Sequence, residues 1–369
     1  MTKRNVNVDL ARVVATILVI VLHVLGQGGI LKNASPDGVI YWVAWFLEIL
    51  SYCAVNCFAL ISGYVMVNKD AKLKSLIALW FQVIFYSLLI TLLFFVFVPE
   101  TKDLGSLLFS LIPVLSKRWW YVSSYFGLFF FIPVLNAAIN SISQTAFKKL
   151  LVLISIGVGV AGCIVPADPF SFGYGYSAIW LAVMYLFGAY IRKYNASEKT
   201  TVLKSFFCFL STVVSTLLSK FAIHFATKAI FGEAKLEDIF VSYTSVTIMF
   251  SAVFLFLFCL KVKINNVLKS VIGFFAPATL GVYLIHVHPF VFVSILKDAF
   301  ASLADMSVAL MILHTIAAVL VVFLLCSVID LIRIQLFKLL RINKISEFLA
   351  EKITRIYEII FDNKKTKSE

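Results

Sequence analysis

Long apolar runs separated by short polar breaks dominate the chain. They predict ten membrane-spanning helices, at approximately 9–31, 41–67, 75–98, 119–135, 149–166, 175–192, 203–224, 240–260, 274–296 and 306–336. A bilayer core about 30 Å thick needs roughly 20 residues of apolar helix, and most of these runs reach that length. The seventh is the least regular, because Lys220 and His224 interrupt it. Two outer connections are longer than the rest. One, Pro99 to Arg118, contains an apolar piece from Leu104 to Pro113 that is too short to span. The other, Thr227 to Asp238, mixes both signs of charge. Beyond Arg341 the pattern changes. Ile342, Ile345, Phe348, Leu349, Ile353, Ile356 and Ile360 recur at helical spacing with Lys and Glu between them. That suits a basic amphipathic helix lying on the inner membrane surface. The expected class is all-α, a polytopic integral membrane protein. Residues 1–340 form the membrane domain, and residues 341–369 form a cytoplasmic amphipathic helix with a basic tail.

Composition agrees with the pattern. Hydrophobic residues make up 62% of the 369 positions and charged residues 14%, with a mean hydropathy of +0.99. Soluble domains carry about a quarter charged residues. The net charge of +13 invites a nucleic-acid partner, but its distribution excludes that reading. With the N-terminus inside, 24 of the 32 lysines and arginines fall in inner segments, leaving 8 outside. This positive-inside bias predicts a multi-pass protein of the cytoplasmic membrane with both termini in the cytoplasm. The first run begins with charge, as a secretory signal does, but it lacks a small-residue cleavage site and further spans follow. It reads as a retained helix. Six cysteines sit in apolar stretches, and none has zinc-ligand spacing with histidine, so no metal is expected.

Against that background, ionisable residues within spans are the informative positions, since each is costly in a bilayer and tends to serve a substrate path. Arg12 and His23 stand eleven positions apart in the first run. At about 100° and 1.5 Å per residue they share a face to within roughly 20°, about 16 Å apart along the axis. Asp9, Thr16 and Gln27 fall near the same stripe. In the second run Glu48, Tyr52 and Asn56 are spaced by four and line one face, ahead of Ser62, Gly63 and Tyr64. Ser62-Gly63 suits either a ligand contact or close helix packing. Lys117, Arg118, Trp119, Trp120 and Tyr121 mark the outer end of the fourth run, as an interfacial aromatic belt or as a platform for sugar rings. In the ninth run Tyr283 and His286 share a face, whereas His288 points almost oppositely and precedes Pro289. Lys69, Lys72 and Lys74 cluster on the inner side, as a topology signal or as an attractor of phosphate.

These motifs together resemble those of membrane acyltransferase family 3. The resemblance rests on Arg12 and His23 in the first span, Phe58 to Tyr64, Trp120 to Tyr125 through Pro133, Trp180 with Tyr185 to Arg192, and Tyr283 to His286. They run in family order and extend to about Arg333. The chain is similar to the short members that modify bacterial surface polysaccharides without an appended esterase-like domain. The resemblance implies about ten helices and transfer of an acyl group, commonly acetyl, from cytosolic acetyl-CoA or another acyl-CoA to a sugar hydroxyl. It carries the catalytic roles to His23 and Arg12. Glu48, Trp119, Trp120, Tyr121, Tyr283 and His286 are then candidates for acceptor contact, and Arg12, Ser62, Tyr64, Lys72 and Lys74 for donor contact. His23 would act as general base or be acylated itself. The sequence departs from the family in having lysines where many members carry arginines between spans two and three, and Asn56 where a proline is common. The expected partners are the lipid bilayer and a glycan acceptor, with a second copy or polysaccharide-assembly proteins left open and no nucleic acid. A transporter of a lipid-linked glycan or small metabolite is the alternative, although few Gly- or Pro-broken helices recur in matching halves.

Overall fold

The computed structural model describes residues 5–160, 163 and 168–361. Among them the secondary structure is helical throughout. Helix α1 (Val6–Leu25) starts where the Asn5 side chain accepts from the backbone N–H groups of Asn7 and Val8. It ends at a glycine-rich turn. Gly28 there lies so close to Val24 and Phe300 that any side chain would collide, and Gly29 has φ of 93°. The turn is tied to a distant segment by Asp298 N–H to Gln27 O at 2.9 Å and Phe300 N–H to Gly28 O at 2.8 Å.

α1 is the hub. It packs on α2 (Val39–Tyr52) and α3 (Ala54–Met66), which run on from one another across a turn at Cys53. It also meets α10 (Val246–Lys261), α11 (Asn266–Phe275), α12 (Thr279–His286) and α13 (Val308–Leu339). Around this centre lie α4 (Leu73–Phe97), the short α5 (Leu104–Leu111), α6 (Trp120–Ser141), α7 (Gln144–Ile154), α8 (Ala178–Lys193) and α9 (Val202–Phe231). The last helix, α14 (Ile342–Phe361), runs against α4, and Lys74 pairs with Glu347 at 2.7 Å. Ile345, Phe348, Ile353 and Ile356 of α14 remain exposed.

Among the described residues, seven segments are long and apolar enough to cross a bilayer: Val6–Asn33, Val39–Met66, Leu73–Phe97, Trp120–Ser141, Val202–Phe231, Asn266–His286 and Val308–Leu339. The protein is therefore an all-α, multi-pass membrane protein. Two further expected spans correspond to α8 and α10, each 16 residues and so about 24 Å long. The expected span at 149–166 falls partly outside the described residues. Short as it is, α8 is central. Gly63 on α3 abuts the Tyr185 carbonyl, and Gly188 on α8 abuts the Leu60 carbonyl, so a Cβ at either would collide with backbone. Ser62-Gly63 thus lies at a close crossing, as small residues in membrane helices favour. The outward faces of α4, α9 and α13 expose Leu92, Phe97, Phe207, Leu218, Leu313 and Leu320, as lipid contact requires.

Lys220 and His224 do not interrupt α9, which continues to Phe231. Their cost is met by a cluster. Lys220 is wholly buried, pairs with Glu237 at 2.8 Å and Asp238 at 2.6 Å, and lies 3.7 Å from the Trp45 ring centre. His224 also pairs with Glu237, and the Tyr41 hydroxyl donates to the same carboxylate at 2.6 Å. Burial disfavours the charge on Glu237, but the hydrogen bonds from Lys220, Tyr41 and His224 prevail and hold its carboxyl down at about 2.

Candidate active site

His23 lies in the last turn of α1, where the stripe of polar residues meets α12. Its Nδ1 is 3.0 Å from Nε2 of His286. The other nitrogen of His286, Nδ1, is 2.6 Å from the Val282 carbonyl oxygen, one turn back on α12. A carbonyl can only accept, so His286 donates from Nδ1 and, when neutral, presents a lone pair at Nε2. His23 must then donate from its own Nδ1. Its Nε2 is left as an acceptor. The chain of two hydrogen bonds thereby selects one tautomer of His23, the one with an open lone pair. Gln27 reinforces the junction by donating to the Phe292 carbonyl at 3.1 Å, and the Phe292 ring meets the His23 ring edge-on at 5.1 Å.

His23 lines a cavity of about 210 Å3 together with Arg12, Trp120, Tyr121, Tyr243 and Tyr283. Arg12 and His23 therefore face one space, as their spacing predicts. Arg12 donates to Asp9 at 2.7 Å, and Thr16 bonds the Arg12 carbonyl at 2.9 Å. Asp9 is buried and Arg12 is about a third exposed, so the pair holds the guanidinium in place without sealing it. A second cavity, of about 330 Å3, runs from there toward Met66, Ser75 and Leu79 at the C-terminal end of α3 and the N-terminal end of α4. Arg12, Phe58, Tyr121 and Leu280 belong to both walls, which makes the two spaces neighbours across Arg12. Ser62 faces the second cavity.

On the opposite side a third space, about 550 Å3, is walled by the loops 168–176 and 234–244 and by Tyr52. Aromatic rings separate it from His23. Trp120 lies 4.5 Å from Tyr176 and 6.1 Å from Tyr243, and Tyr243 lies 4.8 Å from Tyr52, centre to centre. Asp168 orders its loop by accepting from the N–H groups of Phe172 at 2.9 Å and Gly173 at 2.5 Å.

The expected site residues fall into two groups. Arg12, His23, Trp120, Tyr121, Tyr283 and His286 come together around the central cavity. The Tyr283 hydroxyl is buried, and its proton has no acceptor among the described residues. Glu48 lies one turn before Tyr52, buried, with its Oε2 likewise unpartnered. The remainder lie elsewhere. Trp119 is sealed against His288, 5.6 Å away, and His288 accepts from Arg118 at 3.1 Å. Arg118 also bonds Thr91 at 2.7 Å and the Ser106 carbonyl at 3.3 Å, which fastens the loop between α4 and α6. Tyr64 sits under the Arg192 guanidinium, 5.3 Å from its ring centre. Lys72 and Lys74 line a surface groove beside α14. Tyr176 and Tyr243 were not expected from the sequence. The Gly-Tyr-Gly-Tyr run at 173–176 was the available signal, but only the fold brings it to Trp120.

Among the described residues no cluster of three His, Cys, Asp or Glu side chains is arranged to hold a metal ion. A family model described as an acyltransferase domain matches residues 5–331, most of the chain. No curated protein and no solved structure matches it.

Proposed function

Because the chain belongs to membrane acyltransferase family 3, and is thus an acyltransferase with an acyl-CoA-type donor rather than a transporter, we propose that it carries an acetyl group from cytosolic acetyl-CoA to a hydroxyl of a cell-surface glycan or its lipid-linked precursor. In this reading about ten helices span the cytoplasmic membrane, both termini are cytoplasmic, and α14 rests on the inner surface. One observation carries the reading. The His23–His286–Val282 chain leaves His23 Nε2 as an acceptor inside a cavity that adjoins a second cavity through Arg12.

The donor's thin pantetheine arm enters from the inner side past Arg12, whose free N–H groups hold its phosphate or amide oxygens. The acceptor comes from the outer vestibule, across the rings of Tyr52, Trp120, Tyr176 and Tyr243. Its hydroxyl gives its proton to His23 Nε2 as its oxygen attacks the thioester carbonyl carbon. The Tyr283 hydroxyl proton has no acceptor among the described residues and is available to donate to the oxyanion that forms. Collapse breaks the carbon–sulfur bond, and the imidazolium returns the proton to the departing thiolate. General-base assistance of this kind contributes about 10²–10⁴-fold.

The test uses purified protein in detergent, radiolabelled acetyl-CoA and envelope glycan from cells lacking the protein. Label should pass to glycan with no membrane gradient. Wild-type protein that leaves the glycan unlabelled, or labels it as fast with His23→Gln, sinks the proposal. Label retained on the protein after the acceptor is withheld would instead favour acylation of His23.

A further inference from the structure

A fourth space lies between α4, α13 and α14 at the inner side of the bundle. It measures about 360 Å3 and is lined by Gln82, Arg333, Phe337, Lys338, Ile342 and Asn343. Leu79 belongs both to this cleft and to the cavity that leads to Arg12, so the two adjoin.

Its electrostatics are distinctive. Arg333 is nearly buried and is clamped by Asp330, with Nε at 2.9 Å from Oδ1 and a terminal nitrogen at 2.7 Å from Oδ2. Asp330 is itself fixed by the Tyr86 hydroxyl at 2.7 Å and by Gln82 at 3.3 Å. A guanidinium has five N–H groups, and the clamp to Asp330 uses two, so a rigidly held arginine keeps N–H groups for a ligand. Lys338 makes one long hydrogen bond, to Gln335 at 3.4 Å, and no ion pair among the described residues. No carboxylate lines the cleft, and the first turn of α14 adds the positive end of its helix dipole. The neighbouring groove is different. There Lys72, Lys74 and Arg355 face Glu347, Glu351 and Glu358, so the charges balance.

We propose that the cleft formed by Arg333, Lys338 and the start of α14 binds the phosphate-bearing nucleotide end of the acyl-CoA donor, and that the Lys72–Lys74 groove does not. Arg333 and Lys338 take the phosphate oxygens. Phe337, Ile334 and Ile342 offer apolar surface to the base, and the pantetheine arm leads away past Leu79 toward Arg12. This rests on the donor reading above.

The experiment measures binding of CoA and of pantetheine, which lacks the nucleotide, to the full chain in detergent by titration calorimetry. Lys338→Glu is compared with Lys72→Glu, since both reverse one exposed lysine on the same side of the protein. Wild type should bind CoA at least tenfold more tightly than pantetheine. Lys338→Glu should weaken CoA about tenfold and leave pantetheine unchanged, while Lys72→Glu alters CoA less than threefold. Equal effects of the two substitutions, or CoA binding unaffected by Lys338→Glu, would overturn the assignment. Wild-type protein that binds no CoA would instead overturn the donor reading on which it rests.

Discussion

Replacing His286 with phenylalanine removes the acceptor 3.0 Å from His23 Nδ1 and preserves most of the ring volume. The buried Nδ1–H then has no partner. An unsatisfied buried donor costs about 1–3 kcal/mol. The imidazole escapes much of that cost by moving its proton to Nε2, the atom that accepts from the substrate in the proposed mechanism. A bias of about 1–3 kcal/mol against the productive tautomer corresponds to a fall in kcat of roughly 5–150-fold. The KM for acetyl-CoA should stay within about twofold, because Arg12 and the inner cavity are untouched. His286→Gln is the companion variant, since its amide oxygen can still accept from Nδ1–H, and it should recover most of the lost rate. The assay is steady-state acetyl transfer by purified variants, with detergent melting curves as the check on folding. A His286→Phe enzyme with wild-type kcat refutes the tautomer argument. So does a His286→Gln enzyme as slow as the phenylalanine variant while both melt like wild type.

Other consequences follow from the same geometry. Arg12→Lys keeps the charge but loses the forked donor geometry, so the KM for acetyl-CoA should rise about tenfold or more with a smaller change in kcat. Gly188→Ala places a methyl against the Leu60 carbonyl, and overpacking of this kind costs about 1–3 kcal/mol, read as a lowered melting temperature in detergent. Trp120→Ala should raise the KM for glycan and leave that for acetyl-CoA within twofold, since its ring lies between the vestibule and His23. Glu237 has its carboxyl lowered to about 2 by hydrogen bonds that outweigh burial. A lowered carboxyl contributes stability above its ordinary value near 4.5 and loses it as pH falls toward 2. Wild-type protein should therefore lose melting temperature over that window more steeply than Glu237→Gln.

Periodicity made the first helix legible. Eleven residues return a helix to nearly the same face, so Arg12 and His23 could be placed together before any fold was known. The spacing of Tyr283, His286 and His288 likewise separates the histidine that meets His23 from the one that meets Arg118. What local spacing cannot contain is distance across the chain. His286 reads as a substrate contact from sequence, yet its geometry is that of a partner to an imidazole 263 positions away. Trp119 and Trp120 look equivalent as neighbours, but Trp119 precedes α6 in extended backbone while Trp120 begins the helix, and one is sealed while the other lines the cavity. The lysines at 72 and 74 looked like a phosphate site because the glutamates of α14 that balance them lie nearly three hundred positions later. Lys220 and His224 seemed to break a span for the same reason, as the carboxylates that pair with them sit beyond the helix end.

The central claim is that donor and acceptor reach one imidazole from opposite faces of the membrane. Sealed vesicles of uniform protein orientation test it, with radiolabelled acetyl-CoA confined to the side that carries the termini and envelope glycan on the other. The account predicts labelled glycan in that arrangement, none when donor and glycan exchange sides, and none with His23→Gln. Transfer that occurs only when both reactants share a side would contradict it.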